Sequence, residues 1–128
     1  MNDALPIPED LPPNPAQPTI FEMPEWAIEQ QLPEKLQAMT DRASRVFDVA
    51  ITLNRRGIFD EEQTRLACEI QNQATRVKSI TQTAILTLQM CKLMPTSKPR
   101  ALKLIQEAEQ GLKELDQMLP SHWDQDVA

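Results

Sequence analysis

The chain has 128 residues, a formal net charge of −6, two glycines and eleven prolines. This length suits a single domain. Two isolated glycines exclude a glycine-rich phosphate-binding loop, and no apolar run approaches the length that spans a membrane. We therefore expect a cytoplasmic protein that makes no contact with membranes.

The net charge is concentrated at the N-terminal end of the sequence. Residues 1–33 contain six acidic residues and no Lys or Arg, whereas residues 34–128 contain thirteen acidic and thirteen basic residues. Six of the eleven prolines lie within residues 1–18. A segment of this composition buries too little apolar surface to offset the entropy cost of ordering it. We predict that residues 1–23 form an acidic, proline-rich arm that is extended or disordered.

A short apolar motif lies at the end of this arm. Phe21, Met23 and Trp26 fall within six positions, and the chain has only five aromatic residues in all. Large aromatic side chains, Trp above all, commonly anchor protein interfaces. Two interpretations remain open: the motif folds back onto the helices of its own chain, or it docks in a groove of another protein. Phe21, Met23 and Trp26 are therefore candidate partner-binding residues.

Prolines divide the segment that follows the arm. Pro24 suits the first turn of a short helix that runs to about Gln31. Pro33 either starts a new helix or kinks a continuous one. Over residues 34–56, apolar residues recur at alternating spacings of three and four, which is typical of a helix packed along a neighbour. Gly57 is placed as the left-handed residue that ends this helix. The apolar seam is Leu36, Met39, Ala43, Val46, Ala50 and Leu53.

The longest predicted helix occupies the centre of the chain. Asp60 is placed as its N-cap, and Gln63 completes a capping box. The helix then continues for about 33 residues, to Leu93, before Met94 and Pro95 end it. Its seam again alternates spacings of three and four, as expected for a bundle helix. The seam residues are Ala67, Ile70, Ala74, Val77, Thr81, Ala84, Leu88 and Cys91.

A second apolar stripe lies on the other side of the same helix. At about 100° per residue, Leu86, Met90 and Leu93 fall roughly opposite the seam. A helix that is apolar on two sides has more than one packing partner. We take these three residues as candidates for self-association.

A third helix is predicted after the turn at residues 94–97. Ser97 is placed as its N-cap and Pro120 ends it. Gly111 in its middle costs about 1 kcal/mol relative to Ala, and it marks a close helix crossing in our interpretation. We predict that residues 120–128 form a frayed C-terminal tail. The seam of this helix is Ala101, Ile105, Ala108, Leu112, Leu115 and Leu119.

Together these elements predict an all-α fold. Residues 24–119 form an antiparallel three-helix bundle with a long central helix, a short extra helical segment at its start, and the proline-rich arm in front. The third helix is shorter than the central one and leaves part of it uncovered. We therefore predict a homo-oligomer, with a dimer favoured.

The sequence offers no residues for catalysis or for holding a cofactor or metal. Cys68 and Cys91 lie on one predicted helix about 35 Å apart by helical rise, so they cannot form a disulfide with each other. The single histidine, His122, has no ligand spacing around it. No acidic residue interrupts the seams, so a buried general acid or base has no candidate. We predict a protein that is not an enzyme.

These observations favour a non-catalytic structural or adaptor protein. It would self-associate through its helices and bind an unidentified protein partner through its N-terminal arm. The alternative is a nucleic-acid-binding accessory subunit, because the region between Glu69 and Glu107 contains six bases and no acid, which could neutralise phosphates. No aromatic residue lies among these bases for stacking, and they are spread around the helix. They are Arg76, Lys78, Lys92, Lys98, Arg100 and Lys103.

Overall fold

The computed structural model describes residues 23–123, and over this range the chain contains helices and no β-strand. The predicted all-α helical bundle is confirmed. Residues 1–22, which make up nearly all of the predicted arm, and residues 124–128 lie outside the described residues. The helices are α1 (Glu25–Glu29), α2 (Leu32–Arg55), α3 (Glu61–Leu93) and α4 (Lys98–Met118), with 3-10 turns at Pro95–Ser97 and Ser121–Trp123.

Pro33 starts a new helix and does not kink a continuous one. Gln31 separates α1 from α2 with a left-handed backbone (φ 57°), a conformation that non-glycine residues seldom adopt. Pro33 then lies in the first turn of α2, where the missing N–H of proline costs nothing. Helix α1 ends at Glu29, two residues earlier than predicted.

The predicted hairpin between the first two long helices is confirmed. Both the end of α2 and the start of α3, on either side of the short link, are formed by the predicted residues. Gly57 adopts the left-handed backbone (φ 71°) that follows the end of α2. Asp60 opens α3 as predicted: its carboxylate accepts the backbone N–H of Gln63 at 2.8 Å, and its own N–H donates to the side-chain oxygen of Gln63 at 2.9 Å. This capping box pairs two N–H groups that the first turn of a helix otherwise leaves without partners.

Two clusters of buried side chains form the core and fix the helix directions. In the first, the start of α2 packs with the end of α3 and the start of α4. In the second, the end of α2 packs with the start of α3 and the end of α4, so successive long helices are antiparallel. The first cluster is Met23, Ala27, Leu32, Leu36, Met39, Ala84, Leu88, Cys91, Ala101, Ile105 and Ala108. The second is Ala43, Val46, Ala50, Leu53, Ala67, Ile70, Ala74, Val77, Leu115 and Trp123.

Gly111 marks a close crossing of α4 over α3, as predicted. A Cβ atom at this position would lie 3.1 Å from Cγ2 of Val77. The side-chain amide of Gln73 donates a hydrogen bond of 3.0 Å to the Gly111 carbonyl. The glycine therefore allows the two backbones to approach each other where a larger residue would hold them apart.

Ser97 occupies the N-cap position of α4, as predicted, but its side chain does not cap the helix. Its backbone is already helical (φ −79°, ψ −7°), and its side chain makes no capping hydrogen bond. A capping side chain reaches the first-turn N–H groups from an extended backbone. Here the 3-10 turn Pro95–Ser97 runs directly into α4, so the chain is never extended at Ser97.

The predicted frayed tail is also wrong for its first residues. Ser121–Trp123 form a 3-10 turn after α4, and Trp123 is only 2% exposed. Its ring stacks on Phe59, with centroids 6.1 Å apart and ring planes within 3° of parallel. This turn therefore closes the second cluster beside the link between α2 and α3.

Candidate self-association surface

The outer face of α3 carries a line of exposed residues without charge. At about 100° per residue, these positions lie opposite the buried seam of the same helix. They recur at spacings of three and four over most of the helix, and every one is exposed. We call this line the outer strip, and it consists of Cys68, Asn72, Thr75, Ser79, Gln82, Leu86, Met90 and Leu93.

The C-terminal end of the outer strip is apolar. Leu86 is 55% exposed, Met90 48% and Leu93 86%, although α2 and α4 both pack against α3. Met94, the next residue along the chain, is also exposed. Burying a side chain of this size contributes about 1.5–3 kcal/mol. The sequence prediction of a second apolar stripe therefore corresponds to a surface that residues 23–123 leave open.

The outer strip contrasts with the solvent faces of the other two long helices, which carry many charges. Charged residues of α2 and α4 pair across the bundle surface, whereas the exposed residues of α3 within residues 77–91 are all uncharged. Exposed helix faces are usually charged or strongly polar, so the outer strip is unusual for a surface that stays in water. Two such ion pairs between α2 and α4 are Lys35–Glu109 at 3.2 Å and Arg42–Asp116 at 3.1 Å.

Sequence reasoning singled out only Leu86, Met90 and Leu93 and missed the rest of the outer strip. The upstream residues, such as Thr75 and Ser79, are small and polar, so hydrophobic periodicity does not detect them. The signal that could have found them is an absence of charge at helical spacing, in a chain in which a quarter of the residues are charged.

The structure separates the three residues of the arm motif. Met23 is 4% exposed and belongs to the first cluster. Trp26 is half-buried and packs against that cluster, and Nζ of Lys98 lies 4.5 Å from the centre of its ring. This distance is within the range of a cation–π contact. Phe21 lies outside the described residues. Met23 and Trp26 therefore join the end of the arm to the helical bundle.

The six basic residues of the alternative function are distributed over α3 and the start of α4. Arg76 and Lys78 lie in the middle of α3, and Lys92 lies at its end. The other three occupy the first two turns of α4. Nζ of Lys78 lies 5.9 Å from the ring centre of Phe47, and Lys98 covers Trp26 as described above. Two of the six side chains thus contact aromatic rings of their own chain. The residues at the start of α4 are Lys98, Arg100 and Lys103.

The two thiols have different surroundings. Cys68 is exposed on the outer strip, whereas Cys91 is buried in the first cluster, and both are free. Burial raises the pKa of the Cys91 thiol, and the positive charge of nearby Lys98 offsets part of that rise. Both cysteines lie on α3, as the sequence predicts. Cys68 is therefore the thiol that reagents in solution reach first.

Within residues 23–123, no three histidine, cysteine, aspartate or glutamate side chains come together as metal ligands would. None of the helices in this range is both long and apolar enough to cross a membrane. Comparison of the chain with protein-family models, with curated proteins and with solved structures finds no match.

Proposed function

We propose that this protein is a non-catalytic structural or adaptor protein that self-associates through the outer strip of α3 and binds a protein partner through its N-terminal arm. The observation that carries self-association is the exposure of Leu86, Met90 and Leu93 on a helix that is otherwise packed on its seam side. Three large apolar side chains on one exposed helix face favour contact with another apolar surface.

The shape of the outer strip supports a protein ligand over a small molecule. Small ligands bind in concave sites that enclose most of their surface. The outer face of a helix is convex, and its large residues Leu86, Met90 and Leu93 are exposed and point away from the other helices among residues 23–123. Another helix, which packs side chains between the ridges of this one, is the natural complement.

The second part of the proposal is that the N-terminal arm binds the protein partner. Met23 is buried in the first cluster, so it fixes the point at which the arm leaves the bundle. Phe21 and the exposed part of Trp26 then contact the protein partner. In this arrangement the bundle holds copies of the chain together, and each copy presents one arm.

Static light scattering on size-fractionated protein tests the self-association. The mass should rise from 14.6 kDa towards twice that value as the concentration increases. Replacing Leu86 and Leu93 together by Gln should keep the protein monomeric with unchanged helix content. Leu102→Gln removes an exposed leucine from α4 and is the matched control, which should dimerise as the wild type does. A wild-type mass that stays at that of the monomer at high concentration would contradict the proposal.

Nucleic-acid binding remains the alternative prediction. The positions of the six basic residues, which are spread over α3 and the start of α4, do not favour it. Binding through phosphates would be strongest at low salt and would fall steeply as salt rises. A titration with mixed oligonucleotides over a range of salt concentrations tests it. Absence of binding at low salt removes this alternative.

A further inference from the structure

The turn that joins α3 to α4 combines positive charge with exposed apolar side chains. Leu93 is 86% exposed and Met94 51%. The sequence has no acidic residue between Glu69 and Glu107, so no carboxylate of this turn balances its bases. We call this surface the corner, and it consists of the exposed residues Lys92, Leu93, Met94, Lys98 and Arg100.

The N-terminal arm leaves the bundle beside the corner. Met23 is the first described residue, and it is buried. It lines one surface groove together with Lys92 and Pro95. Asp10 lies thirteen residues earlier in the sequence, and an extended chain of that length reaches up to about 45 Å. The corner is therefore well within reach of the acidic part of the arm.

The arm and the corner have opposite charges. Residues 1–22 contain four acidic residues and no Lys or Arg. Glu25 of α1 also lines the groove beside Met23, which leaves the three bases of the corner in excess. Attraction between exposed charges is weak for each pair and is screened by salt. Tethering raises the effective concentration of the arm at the corner, so weak contacts are sufficient to hold it there.

We infer that the acidic segment around Glu9 and Asp10 docks on the corner of its own chain. A second copy that presented its own corner would place bases against bases, whereas the arm brings carboxylates to them. A separate partner loses its freedom of translation and rotation on binding, which a tethered arm has largely lost already. Leu11, the next residue, supplies an apolar side chain for Leu93 or Met94.

This docking goes beyond the proposed function, because it requires neither self-association nor a protein partner. It holds the arm against the bundle at low salt and releases the arm as salt rises. The arm is then regulated by its own bundle: a protein partner that binds the whole arm has to displace the acidic segment from the corner first.

Paramagnetic relaxation in NMR spectra of the full chain tests the docking. A nitroxide is attached to Ala4→Cys in a Cys68→Ser background, in which Cys91 is buried and protected from the reagent. At low salt the amide signals of Leu93 and Met94 should be strongly broadened, and most of this broadening should be lost at high salt. An arm that is tethered but not docked would broaden them equally at both salt concentrations.

Charge variants of the bundle show whether the corner is the specific site. Lys98→Gln with Arg100→Gln should remove most of the broadening at low salt. Arg55→Gln with Arg56→Gln is the matched control, because it removes the same charge from exposed residues at the C-terminal end of α2, at the other end of the bundle. The control should keep the broadening of the unmodified corner.

Glu9→Gln with Asp10→Asn removes the charge from the arm and should abolish the broadening in the same way. This variant changes no residue of the bundle, so its effect cannot come from altered packing of Lys98 on Trp26. Broadening that is unchanged by salt, or equal in this variant and in the labelled parent, would overturn the inference.

Two further measurements separate the possible outcomes. Spin-labelled chains are mixed with isotope-labelled chains that carry no nitroxide, and broadening of the corner in this mixture would assign the arm to another copy and overturn docking within one chain. Light scattering on the same samples reports self-association independently. A monomer with a broadened corner supports this inference and rejects self-association, whereas a dimer without broadening does the reverse.

Discussion

The hydroxyl groups of Thr40 on α2 and Thr81 on α3 lie 2.7 Å apart, at the boundary between the two clusters of the core. Thr40 also lies 2.9 Å from the carbonyl oxygen of Leu36, and Thr81 lies 2.8 Å from that of Lys78. Two hydroxyl protons cannot serve three contacts at once. One of the two hydroxyls, either of which can be the donor in the contact between them, therefore divides its donation between its own helix and the other helix.

Replacing these threonines by valine tests whether they are coupled. Each single change, Thr40→Val or Thr81→Val, should cost about 1 kcal/mol of unfolding free energy, because it removes one hydrogen bond at nearly constant shape. The double variant should lose less than the sum of the singles, with a coupling of about 0.5–1 kcal/mol. Urea unfolding of the four proteins measures this cycle. Strict additivity would show that the contact contributes nothing to stability.

Gly111 provides a second stability test. An alanine in the middle of a helix is normally about 1 kcal/mol more favourable than glycine. At this position the added Cβ would lie 3.1 Å from Cγ2 of Val77, which is fully buried and has little room to move. Gly111→Ala should therefore bring no gain in thermal unfolding experiments. In a Val77→Ala background the same change should become favourable, and equal effects in both backgrounds would contradict the close crossing.

The 3-10 turn after α4 should be essential for a stable bundle. Trp123→Ala removes a ring that is 2% exposed and stacked on Phe59, so it should cost about 3–5 kcal/mol. His122→Ala changes the exposed neighbouring residue and should alter the unfolding free energy by less than about 0.5 kcal/mol. A melting temperature that drops equally in both variants would mean that the loss reflects the turn and not the buried ring.

Within the arm motif, Met23 should contribute to folding, whereas Phe21 should contribute to partner binding. Met23→Ala should cost about 2–5 kcal/mol, as for other buried methionines, because Met23 is part of the first cluster. Phe21→Ala should leave the melting temperature unchanged and reduce recruitment of the partner in a pull-down with purified full-length protein as bait. A large loss of stability in Phe21→Ala would instead assign Phe21 to the core of this chain.

Local sequence signals were sufficient for most of the fold. Asp60 and Gln63 form a cap through contacts three residues apart, and seam residues such as Ile70 and Val77 repeat along a single helix, so both can be recognised without knowing the tertiary structure. Trp123 could not be placed in this way, because its burial depends on Phe59, which is distant in sequence. The left-handed backbone of Gln31 has no signal in its residue type.

The candidate surface was predictable only in part, for a related reason. Leu86 and Met90 are conspicuous as apolar residues opposite the seam. Whether they are covered depends on the path of α4, which packs on the seam side of α3 near Val77 and leaves the outer strip open. Only the structure showed that no helix among residues 23–123 covers them.

The most direct test of the central claim is a dilution series followed by amide chemical shifts in two-dimensional NMR. We expect concentration-dependent shifts along the outer strip, largest at Leu86, Met90 and Leu93 and extending towards Ser79. The exposed residues Gln106 and Gln110 on the outer face of α4 should stay unchanged. Shifts that appear on α4 and spare the outer strip, or spectra that do not change with concentration, would contradict self-association through this face.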